Sequence, residues 1–123
     1  MVAFGGKEML SCRRAIPLIA GASLLGGCLN MPTPENKITG AYVSGLNYEQ
    51  FECTRLLAEH DSLSRRESQL VAAQQQRVKT SQMQAFWWGF GQGDGIEATE
   101  LARVRGEKEA VTKAVATKSC PSP

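Results

Sequence analysis

The chain has little of what catalytic or nucleic-acid chemistry is built from. Among 123 residues there is a single histidine, His60. A general base needs a nucleophile or a metal to work with, and a metal centre needs several ligands. His60, flanked only by Glu59 and Asp61, has no such company, so a hydrolase built around it is the weakest reading; no catalytic residue, metal or cofactor is expected. Ser62, Ser64 and Ser68 lie in a polar, helix-forming context and not on a strand-to-helix turn. Excess charge is also missing. The chain has 14 Lys and Arg against 12 Asp and Glu; Lys7, Arg13, Arg14 and Glu8 all precede Cys28, so the remainder balances at eleven of each sign. Such a chain has no electrostatic footprint for DNA or RNA. The apolar run at residues 15–25 is too short to cross a bilayer, which takes about 20 apolar residues. The glycine-rich stretch 91–95 lacks the lysine of a phosphate loop, and Leu101 stands where a calcium loop places its glutamate.

What is present begins with an order of parts: Arg13 and Arg14, the apolar run 15–25, then Leu25-Gly26-Gly27-Cys28. That order is the order of an export signal, whether translation starts at Met1 or at Met9. Leu-Gly-Gly-Cys resembles the lipobox of bacterial lipoproteins. The resemblance implies removal of residues 1–27, acylation of Cys28 and a mature chain of 96 residues held to a membrane by its lipid. With Leu29 and not aspartate after the cysteine, it further implies the outer membrane, facing the periplasm. On that reading Cys12 leaves with the signal and Cys28 carries lipid, so Cys53 and Cys120 remain together in an oxidising compartment. A disulfide between them is expected; two separate thiols are the alternative. In the chain-entropy picture, closing a loop of about 70 residues contributes roughly 4 kcal/mol, a large share of the stability of so small a domain.

Residues 28–46 include Pro32, Pro34, Gly40 and Gly45 with few large apolar side chains, which predicts a flexible tether reaching about 60 Å. A helix is predicted from Asn47, as N-cap, with Gln50 three positions on and a Leu46–Phe51 staple. Residues 48–88 hold neither glycine nor proline, predicting one long helix or two nearly continuous ones. Leu56, Leu63 and Leu70, with Cys53, Leu57, His60 and Val71 beside them, make a narrow apolar seam suited to one helical neighbour. Gly89, Gly91, Gly93 and Gly95 break the helix. Asp94 and Glu97 then offer a capping pair for a second helix over residues 95–119, stopped by Pro121.

On that second helix Ala98, Ala102, Gly106, Ala110 and Ala114 repeat every four residues, forming a shallow groove for a closely packed partner, here the first helix. With Cys53 opposite Cys120, the antiparallel register puts Leu63 near Ala110, Leu70 near Ala102 and Glu67 opposite Arg105. Residues 78–88 then overhang by roughly 16 Å, carrying Phe86, Trp87, Trp88 and Phe90 to one end. Exposed, these aromatics mark a contact with protein or membrane; folded back, they cap the core. Both readings stand. No basic groove accompanies them, so they do not imply base stacking.

Tyr48-x4-Cys53-x2-Leu56, the run Ala-Phe-Trp-Trp-Gly-Phe-Gly-Gln-Gly-Asp-Gly ending at Gly95, Val-Arg-Gly-Glu-Lys-Glu-Ala-Val ending at Val111, and the closing Lys-Ser-Cys120 together resemble small proteobacterial lipoproteins without assigned function. The resemblance implies an anchored hairpin and lends no activity. The expectation is therefore an all-α, coiled-coil-like, two-helix hairpin closed by one disulfide: signal 1–27, lipidated tether 28–46, hairpin 47–120, tail 121–123. Its expected role is that of a noncatalytic envelope protein, held by lipid, whose seam is covered by a second copy or another envelope protein. The rival is an accessory lipoprotein of a secretion or conjugation apparatus.

Overall fold

The computed structural model describes residues 30–121. The predicted signal, the lipidation position Cys28, Leu29 and the last two residues of the predicted tail lie outside the described residues.

Unbroken by glycine or proline, α1 runs through Cys53–Trp88, 36 residues or about 54 Å at 1.5 Å per residue. It ends where Gly89 takes the left-handed conformation (φ 80°) and donates its N–H to the Ala85 carbonyl at 2.9 Å, a backbone state in which a Cβ is costly. The second helix, α2, is Ile96–Thr117, 22 residues. The two pack antiparallel and are tied at the base by the Cys53–Cys120 disulfide, with Cα atoms 5.4 Å apart. The described residues contain no strand, and the disulfide-closed helical hairpin is the fold.

The leucine seam supplies the core. Leu56, Leu63, Val104, Ala110, Val111 and Tyr48 form one buried cluster, with Leu70, Val43, Phe51, Ala114, Val115 and Cys120 packed against it. Leu63 and Ala110 thus share the cluster that the cysteine register predicts, and Arg105 Nε donates to Glu67 Oε1 at 2.8 Å.

The start of α1 differs from expectation. Asn47 caps nothing; Gly45–Tyr48 instead form a 3-10 turn whose N-cap Ser44 accepts from the Leu46 N–H, and the α-helix begins after Glu52. Leu46 remains 69% exposed, so the staple with Phe51 is not made. Tyr48 is buried edge-on to Phe51, ring centroids 5.6 Å apart. Packing of that ring overrides the local helix-start signal, a case of tertiary contact winning over propensity.

The second correction concerns the tether. Residues 30–46 are laid along the hairpin, running parallel to α2. Pro32 and Ile38 are buried. The chain passes from Asn30, whose carbonyl accepts from Gly93 N–H at 2.8 Å, to Ala41, whose N–H donates to the Ala102 carbonyl at 2.8 Å. It ends at Phe51, whose carbonyl accepts from Lys118 Nζ at 2.7 Å. Apolar burial enters through Pro32, Ile38 and Val43, and the remaining contacts are polar. These satisfy backbone groups, which is why a stretch poor in apolar residues can still be fixed.

That docking also changes what the small-residue row receives. A Cβ on Gly106 would stand 1.8 Å from the Ala41 carbonyl oxygen, and one on Gly40 would stand 3.0 Å from the Gly106 nitrogen. At Ala102 and Gly106, therefore, the groove holds the chain's own amino-terminal segment and not α1. Ala110 faces the shared core, while Ala98 and Ala114 are half-buried at either end.

Candidate functional site

Two ends of the hairpin differ in chemistry. At the turn end, α1 outruns α2: Arg77 pairs with Glu97 at the start of α2, Nε to Oε2 at 3.0 Å, and residues 78–88 continue past the start of α2 for about 16 Å. The helix does not break near Thr80 and Ser81, and the aromatics do not cap the core. Phe86, Trp87, Trp88 and Phe90 are 81%, 72%, 75% and 64% exposed, with Phe86 and Trp87 touching edge to face at 5.3 Å. Met83 and Ile96 are exposed beside them in the chain. Residues 80–93 carry no charged side chain. At 150–250 Å² per aromatic side chain, this end offers on the order of 500 Å² of aromatic surface to solvent. That is at the upper limit for a monomer without an apolar contact to make.

The return loop is fixed beneath this overhang by polar groups. Ser81, fully buried, accepts from the Gln92 N–H at 3.3 Å. Asp94 accepts from both the N–H and the hydroxyl of Thr33, each at 2.6 Å. The Thr33 hydroxyl, foremost, holds the Asp94 carboxyl below the usual carboxylate range. Gln74, also fully buried, donates from Nε2 to the Thr33 carbonyl at 2.8 Å and to Asp94 Oδ1 at 3.3 Å; its Oε1 has no partner among the described residues. The expected capping pair is thus spent elsewhere: Asp94 binds Thr33, Glu97 binds Arg77, and the Gly95 N-cap of α2 has no side-chain bond.

Sequence reasoning missed the pattern behind this. His60, Glu67, Gln74 and Ser81 recur every seven residues, a polar row beside the leucine row. Glu67 accepts from Arg105 and from Lys108 Nζ at 2.9 Å, and the Arg105 hydrogen bond, foremost, lowers its pKa. Arg105 in turn donates from Nη1 to the Glu35 carbonyl at 2.7 Å and to the Ile38 carbonyl. A seven-residue polar period was a signal available in the letters alone: one side of a coiled-coil seam that an apolar neighbour cannot satisfy.

At the disulfide end, Leu57, Ala58, His60, Asp61, Thr112, Val115 and Cys120 line an open groove on the face that the amino-terminal segment leaves uncovered. His60 lines the groove along with its neighbour Asp61 and with Cys120, and its carbonyl accepts from the Ser64 hydroxyl at 2.8 Å. Ser68 donates likewise to the Ser64 carbonyl. Among the described residues no group of three His, Cys, Asp or Glu side chains could hold a metal ion, and no helix is long and apolar enough to cross a membrane. No family model, curated protein or solved structure matches this chain.

Proposed function

We propose that this chain is a lipid-anchored protein of the cell envelope, without catalytic activity of its own, held through Cys28 at the periplasmic face of the outer membrane and acting by contact. The observation that carries the reading is the sorting of the cysteines. Cys53 and Cys120, the two outside the signal-like segment, pair with each other, as suits an oxidising compartment, while Cys28 closes a stretch resembling a lipobox. The exposed, uncharged aromatic end supports contact as the mode of action. Growth with radioactive palmitate tests the anchor. Label is expected in the parent chain and absent after Cys28→Ser, with the parent recovered in the outer-membrane fraction; an unlabelled, freely soluble parent refutes the reading.

A second reading rests on the groove at the disulfide end. A helix from a second copy, or from an envelope complex such as a secretion or conjugation apparatus, would cover Leu57, Val115 and their neighbours. Sedimentation of the chain lacking residues 1–28 at micromolar concentration tests self-association. Co-purification of a larger complex, lost when Leu57 is made charged, would favour the apparatus.

A further inference from the structure

We propose that the aromatic end is a bilayer contact, seated in the interfacial layer of the same membrane that holds Cys28; the proposal rests on the anchored reading above. It follows from where the docked segment begins. Asn30 is fixed to the return loop: its carbonyl accepts from Gly93 N–H at 2.8 Å, and its side chain fills the space a Cβ on Gly93 would need. Met31 sulfur and the Asn30 carbonyl crowd Gly91 in the same way, and Thr33 is bound twice to Asp94. Only Leu29 lies between Asn30 and Cys28. Two residue steps span at most about 7 Å. An acylated Cys28 therefore holds the turn that contains Phe90 against the bilayer surface, and a long flexible leash is ruled out by the docking itself.

The chemistry of this end suits that position. Aromatic side chains with a polar edge, tryptophan above all, favour the headgroup layer, where the ring is shielded and the N–H stays wet. Residues 80–93 bring no charge into that layer. The charges bordering it are Lys79 and three groups already bonded within the protein: Asp94 to Thr33, and Arg77 to Glu97. Among the described residues no cluster of cations borders this end to recognise acidic headgroups, so the surface sought is the neutral phospholipid interface. Contact there sets the hairpin pointing away from the membrane, with the disulfide and its groove at the far end of a helix about 54 Å long.

Trp87 and Trp88 are the only tryptophans in the chain, so intrinsic fluorescence reads this end alone. The acylated full-length mature protein, purified from membranes and placed in phosphatidylcholine vesicles, is expected to emit to the blue of the Cys28→Ser protein in buffer. Most of that emission is expected to be lost when the phosphatidylcholine is brominated high on its acyl chains. Unshifted emission that brominated lipid does not quench, from a chain whose acylation mass spectrometry verifies, overturns the proposal and leaves the anchor standing. An unmodified amino terminus overturns both. In cells, a photoreactive residue in place of Phe90 is expected to add to phospholipid; a protein as the main adduct overturns the bilayer contact.

Discussion

Replacing Gly106 by alanine sets two effects of opposite sign against each other. In a helix interior, glycine to alanine ordinarily stabilises by about 1 kcal/mol. Here the new Cβ would lie 1.8 Å from the Ala41 carbonyl oxygen and 2.9 Å from its carbon. Both are backbone atoms, so relief requires the segment to lift. Lifting it forfeits the Ala41–Ala102 hydrogen bond, about 1 kcal/mol, and much of the burial of Ile38, about 2 kcal/mol. The hold of Arg105 on the Glu35 and Ile38 carbonyls loosens as well, about 1 kcal/mol more. Freed residues regain conformational entropy, and the net expectation for Gly106→Ala is a destabilisation of about 2 kcal/mol. Guanidinium unfolding with the disulfide intact gives the sign, and hydrogen exchange at the Ala41 amide gives the cause: that amide should lose protection while the α1 amides near Leu63 keep theirs. A variant as stable as the parent or more so, with the Ala41 amide still slow, would mean that the groove does not hold this segment.

Cys53→Ser removes a cross-link between positions 67 apart in sequence; about 4 kcal/mol of stability should go with it, read as a large fall in Tm and a changed mobility on nonreducing gels. Arg105→Ala leaves the Ile38 carbonyl without its donor, the Glu35 carbonyl with the Ile38 N–H alone, and Glu67 with Lys108 alone, for a loss of about 2 kcal/mol; limited proteolysis should then cut first within residues 35–41. Acid should act on the same contacts. Glu67 and Asp94 both titrate below the ordinary carboxylate range in the folded chain, so their contribution is complete above that range and disappears as pH falls through the lowered values. Exchange at the Thr33 and Ala41 amides followed from neutral pH downward should show protection holding until that window and then failing; protection that fell steadily from neutral pH would refute the assignment.

Much of the hairpin was legible in the letters because its causes are local. The absence of glycine and proline through α1, the four glycines after it and the two cysteines determine length, turn and register, and the Glu67–Arg105 pair follows from that register. The aromatic end was located but its exposure was not, since exposure depends on whether α1 bends near Ser81, and Ser81 is held straight by a bond to a loop backbone. The docked segment was misread for a physical reason. Hydrophobic patterning finds faces that bury carbon, whereas residues 30–46 bury only the scattered Pro32 and Ile38 and are otherwise held through carbonyls, amides and close backbone approach at Gly40 and Gly106. Their recognition is written in the partner, in Gln74, Asp94 and Arg105, and not in the segment. The start of α1 failed likewise: Asn47 and Gln50 form a plausible cap in isolation, but burying Tyr48 against Phe51 takes precedence.

The direction of the docked segment has a mechanical consequence. Its first residue sits at the turn and its last at the disulfide, so a pull on the amino end directed beyond the turn runs lengthwise down the α2 groove. The bonds at Asn30, Thr33, Glu35, Ile38 and Ala41 are then loaded together, in shear, instead of peeling open one after another. Their resistance adds, and the Cys53–Cys120 bridge at the base keeps whatever force gets through from unravelling the helices.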